Sequence, residues 1–171
     1  MIQPGLIAVI GIGNDFRSDD GVGLYVARAL GAMKLTRTRV IAGVSDGTAL
    51  IDAWRDAAQT IIIDCTVSGT AAGTVYRFDA LNDDIPADLF GRYSTHAFNI
   101  VETVSLARTL GLLPTALTVY GIEGKTIALG SQLTAGVKTA ADRVIREIAE
   151  IIGRMENGCG GCGHGPISSG S

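Results

Sequence analysis

The sequence predicts an α/β fold: a single domain on a mainly parallel sheet of about five strands, with helices on both faces. Three observations lead there. Continuous apolar runs recur at residues 6–10, 60–63 and 116–122, the pattern of strands buried on both faces. The stretches between them carry apolar residues at helical spacing, so the order reads β-α-β-α-β-β-α-β-α, and alternation of this kind builds a parallel sheet between helices. Finally, 171 residues with 47% hydrophobic content are enough for one well-buried core, since a chain of this size buries roughly 70% of its unfolded surface.

The elements follow in order. The run at 6–10 closes at Gly11, and a polar loop at 14–19 leads into a helix over 20–33. Val22, Val26, Leu30 and Met33 share one face of it, and Ser18 or Asp19 can cap it. A short strand is expected at 39–42 and a short helix with Trp54 at 48–57. The β-branched run at 60–63, ended by Asp64, is the clearest strand. Another follows at 74–78, then an irregular polar segment at 79–93. A helix is expected over 95–110, with His96, Ile100, Thr103, Ala107 and Leu110 on one stripe, Gly111 as its stop and Pro114 preventing its continuation. The last strand, 116–122, precedes the longest helix, 131–152, whose Leu133, Val137, Ala141, Val144, Ile148 and Ile152 line one face before Gly153. The folded domain is expected to span 1–153, and 154–171 form a glycine-rich, low-complexity tail.

Composition removes several function classes. The formal net charge is −3 and no Lys/Arg cluster occurs, so nucleic acid is not an expected partner. No apolar run approaches the roughly 18–20 residues needed to span a bilayer, and no basic stretch precedes Leu6 as a signal peptide would require. Three cysteines, Cys65, Cys159 and Cys162, make no disulfide framework. The expectation is a reduced, cytoplasmic protein with no membrane partner.

In such sheets ligands bind at the carboxyl ends of the strands. Asp20, Asp64 and His96 all fall at predicted element ends, and His96 is the one histidine of the body, because His164 lies in the tail. Taken singly, each has a plain alternative: Asp19 and Asp20 as helix-capping carboxylates, Asp64 as a turn former, His96 as a hydrogen-bonded core residue. Taken together, two carboxylates and an imidazole suit a divalent ion such as Zn, Fe or Ni and leave coordination positions open. Gly11 and Gly13 begin a G-x-G-x-x-G dinucleotide pattern, but Phe16 breaks it, and no P-loop occurs. Gly43-Val44-Ser45-Asp46-Gly47 matches G-x-S-x-G, and Ser45, Asp64 and His96 stand in hydrolase order. A serine hydrolase is therefore the rival reading, although the pattern is short and lies early in a small sheet. Cys159-Gly-Gly-Cys162-Gly-His164 is one C-x-x-C with a nearby histidine, an open claw rather than a closed zinc site.

These motifs resemble the hydrogenase maturation endopeptidases, which process [NiFe]-hydrogenase large subunits. The resemblance rests on Gly11-Ile-Gly-Asn14, Ser18-Asp-Asp-Gly-Val-Gly23, Ser45-Asp-Gly-Thr48, Ile62-Ile-Asp64, Ser94-Thr-His96 and Val119-Tyr-Gly-Ile-Glu123, and spans residues 6 to 152. It implies a three-layer α/β/α sandwich around a twisted, mostly parallel sheet. It also implies an enzyme that removes a C-terminal extension from the large-subunit precursor once nickel is inserted. The nickel would travel on the substrate, with no tightly bound cofactor in the protease. Asp20, Asp64 and His96 match the family's metal-contacting positions, and the first of these is Asp in some members and Glu in others. A monomer working on the precursor, or a non-catalytic metal-binding partner of the same assembly, fits this picture. The tail resembles the C-x-x-C-x-x-H end of hydrogenase large subunits, one residue short.

Overall fold

The computed structural model describes residues 1–86, 88–90, 99–130 and 132–158. His96, Cys159, Cys162 and His164 lie outside them. One five-stranded sheet organises the chain in the order β2-β1-β3-β5-β4. β1 (Gln3–Gly11), β2 (Thr38–Ala42), β3 (Ala57–Thr66) and β5 (Ala116–Glu123) run parallel, and β4 (Val75–Asp79) lies antiparallel on β5. The single-domain, mainly parallel architecture expected from the alternation is the one found.

Successive strand residues point to opposite faces, and this divides the core in two. Ile7, Val9, Ile61, Ile63, Tyr120 and Ile122 meet α1 (Val22–Ala32) and α4 (Ala135–Gly158). Ala8, Ile10, Ile62, Leu117 and Val119 meet α2 (Gly47–Trp54) and α3 (Ile100–Leu110). Helices thus cover both faces. The expected stripe of α4 is buried from Val137 to Ile152, joined by Ala140 and Ile145. Gly111 takes the left-handed conformation (φ 67°) after α3 and passes its N–H back to Arg108, as a C′ glycine should.

Several boundaries differ from the sequence reading. β3 runs on both sides of the expected 60–63, because it is paired with β1 and β5 along its length. Asp64 is therefore inside the strand rather than after it. α2 stops at Trp54, where Asp56 turns left-handed (φ 66°) and Ala57 pairs with Gln3. α3 starts at Ile100 with Asn99 as its cap, its side chain accepting the Val101 N–H at 2.8 Å. α4 passes through Gly153, since a lone glycine costs a helix only about 1 kcal/mol and no proline follows at once. Met33 and Leu110, expected on buried stripes, lie at helix ends and are 47% and 57% exposed. Neither Ser18 nor Asp19 caps α1, whose N-cap is Gly21 with no side-chain bond.

The glycines of the first loop have a packing role. A Cβ on Gly23 would lie 2.2 Å from the Ile12 carbonyl oxygen and 2.3 Å from that of Ile63. On Gly11 it would lie 2.2 Å from the Gly23 oxygen. α1 is thereby pressed directly onto the carboxyl ends of β1 and β3, which carries residues 18–21 over the edge of the sheet.

Candidate active site

Asp20 sits in the 3-10 turn Ser18–Gly21 that leads into α1, and Asp64 near the end of central strand β3. The sheet and the turn bring the two together. Both are buried. β1 ends opposite Ile63, and its chain continues with the Ile12 N–H donating to the Ile63 oxygen. Asp64 is the next residue along β3, where the β1 side of the sheet gives way to the first loop. The Asp20 carbonyl accepts the Asn14 N–H at 3.2 Å, and a Cβ on Gly13 (φ 151°) would lie 2.1 Å from that oxygen.

Burial pushes the Asp64 carboxyl up to about 7, the Cys65 N–H at 2.8 Å opposes the shift, and the charge of Asp20 adds to it. At neutral pH Asp64 is therefore poised between its acid and carboxylate forms. A cation arriving beside the pair would displace the proton and relieve the like-charge repulsion. Among the described residues no group of three His, Cys, Asp or Glu is placed to hold a metal ion. Asp20 and Asp64 supply two oxygen-donor groups, and the third expected ligand, His96, lies outside the described residues.

Two further buried carboxylates flank the pair. The sequence offers Asp19 as a helix cap and places Glu123 at the end of a strand, within a motif, without a role in the site. Glu123 ends β5 and accepts from the Thr66 hydroxyl (2.7 Å), the Ser68 N–H (2.7 Å) and hydroxyl (3.1 Å), and the Gly69 N–H (2.8 Å). It ties the β3–β4 loop to the site edge. Like Asp64, it is an acid at the end of an apolar run, and that was the signal available. Asp19 binds the loop between β5 and α4. Cys65 lies among these acids, and burial first, then the charges of Asp64, Asp20, Asp19 and Glu123, push its thiol far above its ordinary range. It is held as a protonated core residue, not a thiolate nucleophile.

Ser45 is exposed and donates to Asp46 at 2.8 Å, while Asp46 caps α2 by accepting the Ala49 N–H at 2.9 Å. The G-x-S-x-G stretch thus serves as a helix-capping turn. β1 stands between the end of β2, which leads to Ser45, and β3 with Asp64.

Fold and site together define an α/β protein with two buried acids, Asp20 and Asp64, at the carboxyl ends of its parallel strands. A model of the hydrogenase maturation protease family matches residues 24–151, which include Asp64 and position 96 and begin just after Asp20. The chain belongs to the hydrogenase maturation protease family. It is 29% identical over 120 residues to the hydrogenase expression/formation protein HupD of Thiocapsa roseopersicina, covering 68% of this chain and 53% of that one, so it spans about half that relative's length. It is 24% identical over 151 residues to the hydrogenase 2 maturation protease of Escherichia coli, covering 84% and 91%. Among solved structures, the hydrogenase maturating endopeptidase HybD from E. coli superposes with a TM-score of 0.69 at 22% identity, covering 87% of this chain and 93% of that one. The [NiFe] hydrogenase maturation protease HycI from Thermococcus kodakarensis KOD1 gives 0.66 at 23%, with the same coverage.

Proposed function

We propose that this protein is the endopeptidase that removes the C-terminal extension of a [NiFe]-hydrogenase large-subunit precursor after nickel insertion, and that Asp20, Asp64 and His96 meet the nickel carried by that precursor. The observation that carries the reading is the buried Asp20–Asp64 pair at the sheet edge of a chain in this family. Two buried acids near one another attract a cation, and in this reading a partner brings it. Cleavage would then wait for a loaded precursor. The substrate's metal would polarise the scissile carbonyl, and a carboxylate of the site would take a proton from the attacking water.

Intact mass spectrometry of a large-subunit precursor, incubated with the protein with and without nickel loading, tests this. Loss of a C-terminal peptide from the loaded precursor alone is expected. Cleavage regardless of nickel would remove the metal check and return attention to Ser45. A nickel-dependent complex with no cleavage would make the protein a binding partner instead.

A further inference from the structure

We propose that Asp19 is a positioning residue, whose carboxylate, saturated by the β5–α4 loop, fixes Asp20 against Asp64. The inference deepens the reading above and rests on it for the identity of the reacting pair. Asp19 is fully buried. One oxygen accepts the N–H groups of Lys125 (2.8 Å) and Thr126 (3.0 Å) and the Thr134 hydroxyl (3.0 Å), and the other accepts the Thr134 N–H at 2.7 Å. The backbone repeats the link. Asp19 N–H donates to the Thr126 oxygen at 3.0 Å, Ser18 N–H to the Gly130 oxygen at 2.7 Å, and Gly130 N–H to the Phe16 oxygen at 3.0 Å. Turn and loop form one unit.

The clamp acts on Asp20 directly, because Asp19 precedes it in the same 3-10 turn. On one side the Asn14 N–H and the absent side chain of Gly13 fix its carbonyl. On the other stands Asp19, preceded by Ser18 in the left-handed region (φ 50°), a conformation that a serine keeps only under external constraint. The loop supplies that constraint at close quarters. A Cβ on Gly130 would lie 2.6 Å from the Ser18 hydroxyl, and one on Gly124 would lie 3.2 Å from the Asp19 Cβ.

The test compares Thr134→Val, which removes one of the four bonds, with Asp19→Asn, whose amide would face backbone donors. Ile148→Val, far along α4, serves as a destabilised control. Full-length proteins are given nickel-loaded precursor, and backbone amide shifts at Asp20 and Gly21 are recorded without it. The saturating rate constant should fall about tenfold in Thr134→Val and about 100-fold in Asp19→Asn, the loss a 1 Å misplacement brings. The half-saturating concentration should stay within twofold. The two amides should move in both variants and in neither respect should the control differ from wild type. Folded Thr134→Val and Asp19→Asn proteins with the wild-type rate constant would overturn the proposal, as would an equal loss in the control. If Asp19→Asn does not fold, Thr134→Val decides. If the wild-type protein leaves loaded precursor uncut, the endopeptidase reading falls and the amide shifts alone decide the positioning role.

Discussion

The environment of Asp64 makes its contribution to stability depend on pH. Its folded-state value of about 7 stands above the ordinary 3.8, mainly through burial. Below pH 4 both folded and unfolded forms hold the proton, and the group's contribution is fully present. As pH rises from 4 to 7 the unfolded chain gives up the proton first, so stability falls through that window. The total loss is on the order of 4 kcal/mol. Asp64→Asn, nearly isosteric and neutral, should therefore lose this slope and exceed wild type in stability at pH 8, by urea unfolding across pH 4–8. Asp20→Ala, Asp64→Ala and His96→Ala should each lower precursor processing at least about 100-fold while remaining folded, and Ser45→Ala should keep it. Wild-type processing by any of the three would remove that residue from the site.

At the scale of elements, the site is an edge where three connections are tied down. α1 packs at van der Waals distance onto β1 and β3 because Gly11 and Gly23 carry no side chain. Gly23→Ala would drive a methyl into two backbone carbonyls and should cost about 1–3 kcal/mol or more, read as a drop in thermal midpoint. The β3–β4 loop hangs on Glu123, which answers two backbone N–H groups and two hydroxyls. Glu123→Gln leaves part of that set unanswered and should cost about 1–3 kcal/mol. Hydrogen exchange at Ser68 and Gly69 should quicken well before the strands are affected; unchanged protection there would show that the loop holds itself.

For the whole molecule, one sheet separates two cores and is shared by both. Ile148 of α4 lies in one, and Trp54 in the other, where its indole N–H donates to the Leu112 oxygen at 2.9 Å. Ile148→Ala should cost about 2–5 kcal/mol. Because both cores rest on the same strands, Trp54 fluorescence and far-ultraviolet circular dichroism should shift together. Separate transitions would mean that the two faces unfold independently. Among the described residues no helix is long and apolar enough to cross a membrane.

How far the sequence reached is plain from particular residues. The runs at 6–10, 60–63 and 116–122 are strands because continuous apolar stretches of that length have few other places to be buried, and Gly111 marks a helix end because few other residues take its backbone conformation. The order of alternation determined the fold class, and motif spacing pointed to Asp20 and Asp64. Tertiary structure decided what those patterns leave free. Asp19 and Asp20 are adjacent and chemically alike, yet one is saturated by residues 125–134 and the other stands beside Asp64. Met33 and Leu110 fit their helical stripes and still emerge into solvent, because a stripe is buried only as far as the neighbouring element extends. Local pattern determines which elements form and which side chains carry reactive groups. Which partners a carboxylate meets, as Asp19 meets residues 125–134, depends on segments distant in sequence, and only the folded chain brings those together.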